Sequence, residues 1–257
     1  MIRHVAGDLY QISEIVSGRF GSEAVSVYVL LNGEQPVLID CGSHLHRESI
    51  MADLDEVLAG RTPAYIFLTH SELPHAGNIS SVVGRWPDIH CIVSNVMLAY
   101  IEVLPTLPLS QITQATAGST VTVGDRTLEF VTALLKDQPG SQWIYDGQTQ
   151  TLFSGDGFGY HCSLEQSGRF SDEVTGGIQS EQFESYHRQT FRFLRWIRPK
   201  RFNADLDRLF GMRPISIVAP IHGAAIRGDI GLHQERLKDA ITAVCNSYRE
   251  GREGGMV

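Results

Sequence analysis

The chain has 257 residues, 42% of them hydrophobic and 19% charged, with a formal net charge of −8 at neutral pH. That supply of apolar residues suits a sizeable core and excludes a largely disordered chain, and the acidic balance argues against nucleic acid or an anionic membrane as partner. No apolar run approaches the ~18–20 residues of a membrane helix. The first residues, Met1 to Asp8, lack the apolar centre of a signal peptide, and Cys41, Cys91, Cys162 and Cys245 are scattered with no C-x-x-C pair. Free thiols and a cytoplasmic location are therefore expected.

In chain order, Leu9–Ile12 and Ala24–Leu31 read as strands, Asn32-Gly33 as a turn, and Pro36–Asp40 as the next strand. Glu48 to Leu58 places Ile50, Met51, Leu54, Val57 and Leu58 near helical spacing. Ala64–Phe67 reads as a buried strand, His90–Ser94 as another, and Asn95–Val103 as a helix ending before Pro105. Strands then return at Thr120–Val123, Thr127–Thr132, Trp143–Tyr145 and Thr151–Ser154. Phe183–Ile197 is expected to be helical, Ile215–Ala219 a late strand, Gln234–Tyr248 a closing amphipathic helix, and Arg249–Val257 a frayed Gly-rich tail. Two successive runs of strands and helices without a linker predict an α/β protein with two sheets sharing one core and helices outside, as a single domain over residues 1–257.

The chemistry concentrates after the Ala64–Phe67 strand, in Leu68-Thr69-His70-Ser71-Glu72-Leu73-Pro74-His75. Alternate residues of an extended segment point the same way, so His70 and Glu72 can face one point, and His75 can reach it from the following helix. A lone histidine here would more simply cap the helix or pack in the core. Two imidazoles and a carboxylate so close together form a metal-ligand pattern.

Four stretches together resemble the metallo-β-lactamase superfamily, an αββα four-layer sandwich. They are Val37–Gly42, the H-S-E-L-P-H turn, Phe153–Gly159 and Pro220-Ile221-His222-Gly223. The resemblance is closer to the flavodiiron or oxygen-binding di-iron branch, because Glu72 matches its H-x-E-x-D-H rather than the H-x-H-x-D-H of the zinc hydrolases. By that resemblance His70 and Glu72 would bind one metal, His75 and His222 the other, and Asp156 would bridge them. Two positions depart: Pro74 replaces the aspartate of the motif, removing a carboxylate from the second metal, and Asp137 stands where the branch has a histidine. A shift of one residue would place Lys136 there instead.

Two imidazoles and up to three carboxylates favour a borderline-to-hard ion such as iron or manganese over a structural zinc site. The resemblance implies iron, two ions before one, with zinc or manganese ranking below. The expected function is a non-haem iron protein that binds or activates dioxygen as reductase, oxygenase or sensor. Its partners would be dioxygen or a small organic substrate and a separate electron-donor protein. No FMN site is expected in this chain, and a homodimer is admissible. The alternatives are a metal-dependent hydrolase of an ester, thioester or lactone, and a binding protein on a degenerate site. Asp40 is expected to buttress a ligand histidine or a turn. His44 and His46 read as surface residues, His161 and Cys162 as packing, Tyr186-His187 as outer support of the site, and the basic run from Arg192 to Arg201 as a solvated face.

Overall fold

The computed structural model of the chain describes residues 1–253. β1 (Ile2–Ala6), β2 (Leu9–Gly18), β3 (Gly21–Leu30) and β4 (Val37–Ile39) pair antiparallel in sequence order. The sheet continues in parallel through β5 (Tyr65–Phe67), β6 (His90–Val93) and β7 (Ile112–Gln114). Parallel neighbours need crossovers, which α1 (Arg47–Leu58), α2 (Leu73–Ala76), α3 (Ile79–Arg85) and α4 (Met97–Tyr100) provide.

The second sheet contains β8 (Thr120–Val123), β9 (Arg126–Val131), β10 (Trp143–Asp146), β11 (Thr151–Gly155) and β12 (Ile217–Pro220), ordered β12-β11-β10-β9-β8. Only β11 and β12 are parallel, joined across α5 (Ser180–Thr190) and α6 (Pro199–Met212); α7 (Ile230–Glu253) follows.

Side-chain alternation sorts the core into layers. Tyr28 and Leu30 of β3, Phe67 of β5 and Phe153 of β11 meet between the sheets. Val27 and Val29 of β3 and Ile66 of β5 turn outward onto Ile50, Leu54 and Val82 of the first helical layer. Leu152 of β11 and Val218 of β12 turn onto Phe183, Leu206, Leu237 and Ile241 of the second. The architecture is therefore the αββα four-layer sandwich that the sequence implies. All four cysteines are free and buried. Among the described residues no helix is long and apolar enough to cross a membrane.

Several expected boundaries move. The Asn95–Val103 helix shrinks to α4, since Ile101 already has extended backbone. The Phe183–Ile197 helix stops at Thr190, where Phe191 leaves the helical region and buries its ring, and a separate turn spans Arg192–Trp196. α6 was not among the expected helices, although Pro199 stands at its start and Phe202, Leu206 and Leu209 are spaced along one face. α7 runs to Glu253, and residues 254–257, the end of the expected frayed tail, lie outside the described residues.

Candidate metal centre

The site lies beyond the carboxyl ends of four strands, the place where open α/β sheets leave a crevice. β4 leads into Asp40, β5 into His70, β11 into Asp156 and β12 into His222. α2 delivers His75, and the connection between β9 and β10 delivers Asp137. Two glycines flanking Asp156 are required by shape. Gly155 holds φ +53, and a Cβ on Gly157 would lie 2.3 Å from the Trp143 ring.

Two groups of ligating atoms form, each with its atoms within 4.8 Å of one another: His75, Asp156 and His222, and His70, Asp137 and Asp156. Asp156 belongs to both. His75 Nε2 is 2.7 Å and His222 Nε2 3.5 Å from Asp156 Oδ1, while His70 Nε2 is 2.8 Å from Asp137 Oδ2. Despite these distances, His70 Nε2, His75 Nε2 and Asp156 Oδ1 are buried without a hydrogen-bond partner of acceptable direction. Close polar atoms that do not aim at one another fit a cation between them, and a buried imidazole–carboxylate set is the donor chemistry of such an ion.

The outer partners differ between the histidines. Asp40, itself buried and at φ +60, accepts the Thr69 amide at 2.7 Å and lies 2.9 Å from His75 Nδ1. His222 Nδ1 is 3.2 Å from Glu23 Oε2. Asp40 favours the proton on Nδ1 of His75 and so frees its Nε2 as a ligand atom, whereas His222 Nδ1 and Glu23 Oε2 are close but not aimed at one another as a hydrogen bond. His70 is arranged the other way, because the Glu72 amide donates to its Nδ1 at 2.9 Å. A neutral His70 then carries its proton on Nε2, and ligation through that atom needs the Ser71–Glu72 turn to shift.

The electrostatics agree with a site built for positive charge. Burial alone would lower His75, but Asp156 and Asp40 outweigh it and hold the imidazole up at about 10. Burial would likewise lower His222, which Asp156 and Glu23 raise. Burial would raise Asp156, yet His75 and His222 hold it well below the usual carboxylate range.

Of the six residues expected to ligate, the structure gathers His70, His75, Asp137, Asp156 and His222 and keeps Glu72 apart. Glu72 is exposed, with extended backbone at the start of α2, and its carboxylate accepts from Gln138 Nε2. The extended alternation that would have turned it inward ends at the His70 Nδ1 hydrogen bond. Asp137, not the exposed Lys136, reaches the site. Asp40 takes the buttressing place expected of it. His44 and His46 join neither ligand group, and Cys162 packs against Ser22, its thiol bonding the Ser22 carbonyl. His161 Nδ1 is 2.9 Å from Ser185 Oγ. The Tyr186 ring lies 5.4 Å from that of His222, and burial pushes the neighbouring His187 down to about 4, leaving it neutral. Sequence reading misses Glu23. Its one signal is that it is the lone charged residue of β3.

Comparison with known proteins adds the context. Residues 24–223 match the family model described as ODP family beta lactamase. The chain is 28% identical over 204 residues to an anaerobic nitric oxide reductase flavorubredoxin of Pectobacterium carotovorum, covering 78% of this chain and 39% of that protein. Among solved structures it resembles the flavodiiron protein from Giardia intestinalis, with a TM-score of 0.77 at 18% identity, over 95% of this chain and 60% of that one. It also resembles rubredoxin oxygen:oxidoreductase from Desulfovibrio gigas, with a TM-score of 0.74 at 16% identity, over 97% and 62%. The chain spans between 34% and 49% of the length of the first curated relatives it matches.

Proposed function

The chain belongs to the ODP beta-lactamase family, and on that premise we propose that it is a non-haem iron oxidoreductase whose ligand is a diatomic gas, dioxygen or nitric oxide. The observation that carries this reading is Asp156, common to two ligand groups of unequal character. His75, His222 and Asp156 offer two imidazoles and one carboxylate, the set that suits ferrous iron with coordination positions left open. His70, Asp137 and Asp156 offer one imidazole and two carboxylates, a harder set. A pair of irons is the reading, held by these five residues within a single domain over residues 1–257.

Iron, when bound, would supply the electrons that the gas accepts. The chain's own part is positional. Asp40 orients His75 and holds the proton on its outer nitrogen, the Glu23 carboxylate lies beside His222 Nδ1, and the buried walls exclude bulk water. The position that Pro74 deprives of a carboxylate is thus the better prepared one, while the His70 position waits on the Ser71–Glu72 turn. The names of the relatives support both gases, since one is a nitric oxide reductase and another an oxygen oxidoreductase.

The test is to reduce the iron-loaded protein anaerobically and follow its absorption on mixing with dioxygen or with nitric oxide. Rapid, stoichiometric consumption of at least one gas is expected, abolished by Asp156→Ala. A reduced protein inert to both gases would refute the reading, and a zinc-loaded protein that hydrolyses an ester or lactone would replace it.

A further inference from the structure

One surface departs from the acidic balance of the chain. The segment from Arg192 to Arg201 contains Arg192, Arg195, Arg198, Lys200 and Arg201, five of the 21 lysines and arginines, and no acid. Among the described residues, Arg192, Arg195, Arg198 and Lys200 make no ion pair, and Arg201 only reaches Asp205 at 3.8 Å. Trp196 stands 68% exposed in the middle of them, with the Arg195 guanidinium over its ring. Arg249 adds a sixth cation, its guanidinium donating to the Ile197 carbonyl at 3.4 Å. An exposed indole among cations of which four make no ion pair among the described residues is the composition of an interface centre for an acidic partner.

Aromatic rings lead inward from the same helical turn. Phe193, half-buried, lies 5.8 Å from Phe191, which lies 6.4 Å from Tyr186. Tyr186 lies 5.4 Å from His222. His187 fills the angle, 5.2 Å from Phe191 and 5.5 Å from Tyr186. Tyr186, His187 and Phe191 are buried, so each step passes through packed side chain.

We propose that this basic edge docks an acidic one-electron carrier protein, and that Phe193, Phe191 and Tyr186 form the packed route from its redox group to His222. The inference rests on reading the centre as redox-active iron. Each encounter moves one electron from the reduced carrier to a ferric ion, leaving oxidised carrier and ferrous ion, with no bond formed or broken. An anionic bilayer would also favour exposed tryptophan and cations, but it gives no reason for a ring path ending on a ligand histidine.

The test uses a reduced plant-type two-iron ferredoxin as the acidic carrier, mixed anaerobically with the iron-loaded ferric protein, and follows the loss of ferric absorption. The double variant Arg192→Glu/Arg198→Glu changes two exposed, unpaired residues and spares Arg195, which also packs over Tyr248. It should slow reduction by ferredoxin at least ~10-fold at low salt, with the difference shrinking as salt screens the charges. Reduction by the small deazariboflavin semiquinone should be equal in both proteins. Phe193→Ala should slow ferredoxin oxidation while leaving the salt dependence intact. Equal ferredoxin rates in parent and double variant would overturn the docking surface. So would charge-dependent binding to phosphatidylserine vesicles alongside unchanged ferredoxin rates. A centre that deazariboflavin semiquinone cannot reduce would instead refute the redox-active iron, and the docking role with it.

Discussion

Asp40→Asn is the most informative single change, because it alters one proton position and almost no volume. Asp40 is fully buried and serves three donors: the Thr69 amide, the Thr69 hydroxyl and His75 Nδ1. In the variant, the asparagine oxygen can keep the amide hydrogen bond, which turns its NH2 toward Thr69 Oγ1 and His75 Nδ1. A donor facing Nδ1 favours the tautomer with the proton on Nε2, the atom that the Asp156 group needs as a ligand. Disturbing the outer partner of a ligand histidine typically costs ~10–100-fold in metal affinity. Because here the hydrogen bond is reversed, not merely lost, the expected loss is near the top of that range, about 2.7 kcal/mol. Iron(II) titration against a competing chelator measures it, with circular dichroism showing that the variant stays folded. An affinity within about threefold of the parent would refute the tautomer argument and the ligand role of His75 Nε2.

Three further outcomes are expected. Asp137→Ala should lose roughly 10-fold or more in affinity for one of two ions while the other is retained, read as one missing step in the same titration; two unchanged steps would remove Asp137 from the ligand set. Pro74→Asp, placed beside His75 at the start of α2, should tighten the His75 position, and equal chelator competition in parent and variant would show that the extra carboxylate does not reach it. The pH dependence follows from His75, whose folded value of about 10 lies above its ordinary 6.5. Its stabilisation of the metal-free protein is full below pH 6.5 and lost as pH rises toward 10. An ion replaces that proton, so the rise in Tm on adding metal should grow across this window. A gain that shrinks with rising pH would contradict it.

Much of the layer structure was legible because the short apolar runs of β3, β4 and β11 and the helical spacing in α1 are properties of short windows. His70 and His75 were legible because they crowd a strand end and the first helix after it, and Asp156 and His222 through the resemblance of Phe153–Gly159 and Pro220–Gly223 to the family's motifs. What stayed hidden depends on contacts far apart in the chain. Glu72 has the spacing of an inward residue, yet its fate is decided by Gln138 and by one backbone hydrogen bond to His70. Glu23 meets His222 only because β3 runs beside the loop after β12. The break at Phe191, which separates α5 from the Arg192–Trp196 turn, follows from burying that ring against the second helical layer, and helical periodicity runs through it without a mark.

The central claim is that Asp156 joins two metal positions in an iron centre, and the iron content of the natively purified protein tests it most directly. Close to two irons per chain, with both lost together in Asp156→Ala, is the predicted result. Zinc in place of iron, or full iron retained in Asp156→Ala, would contradict it.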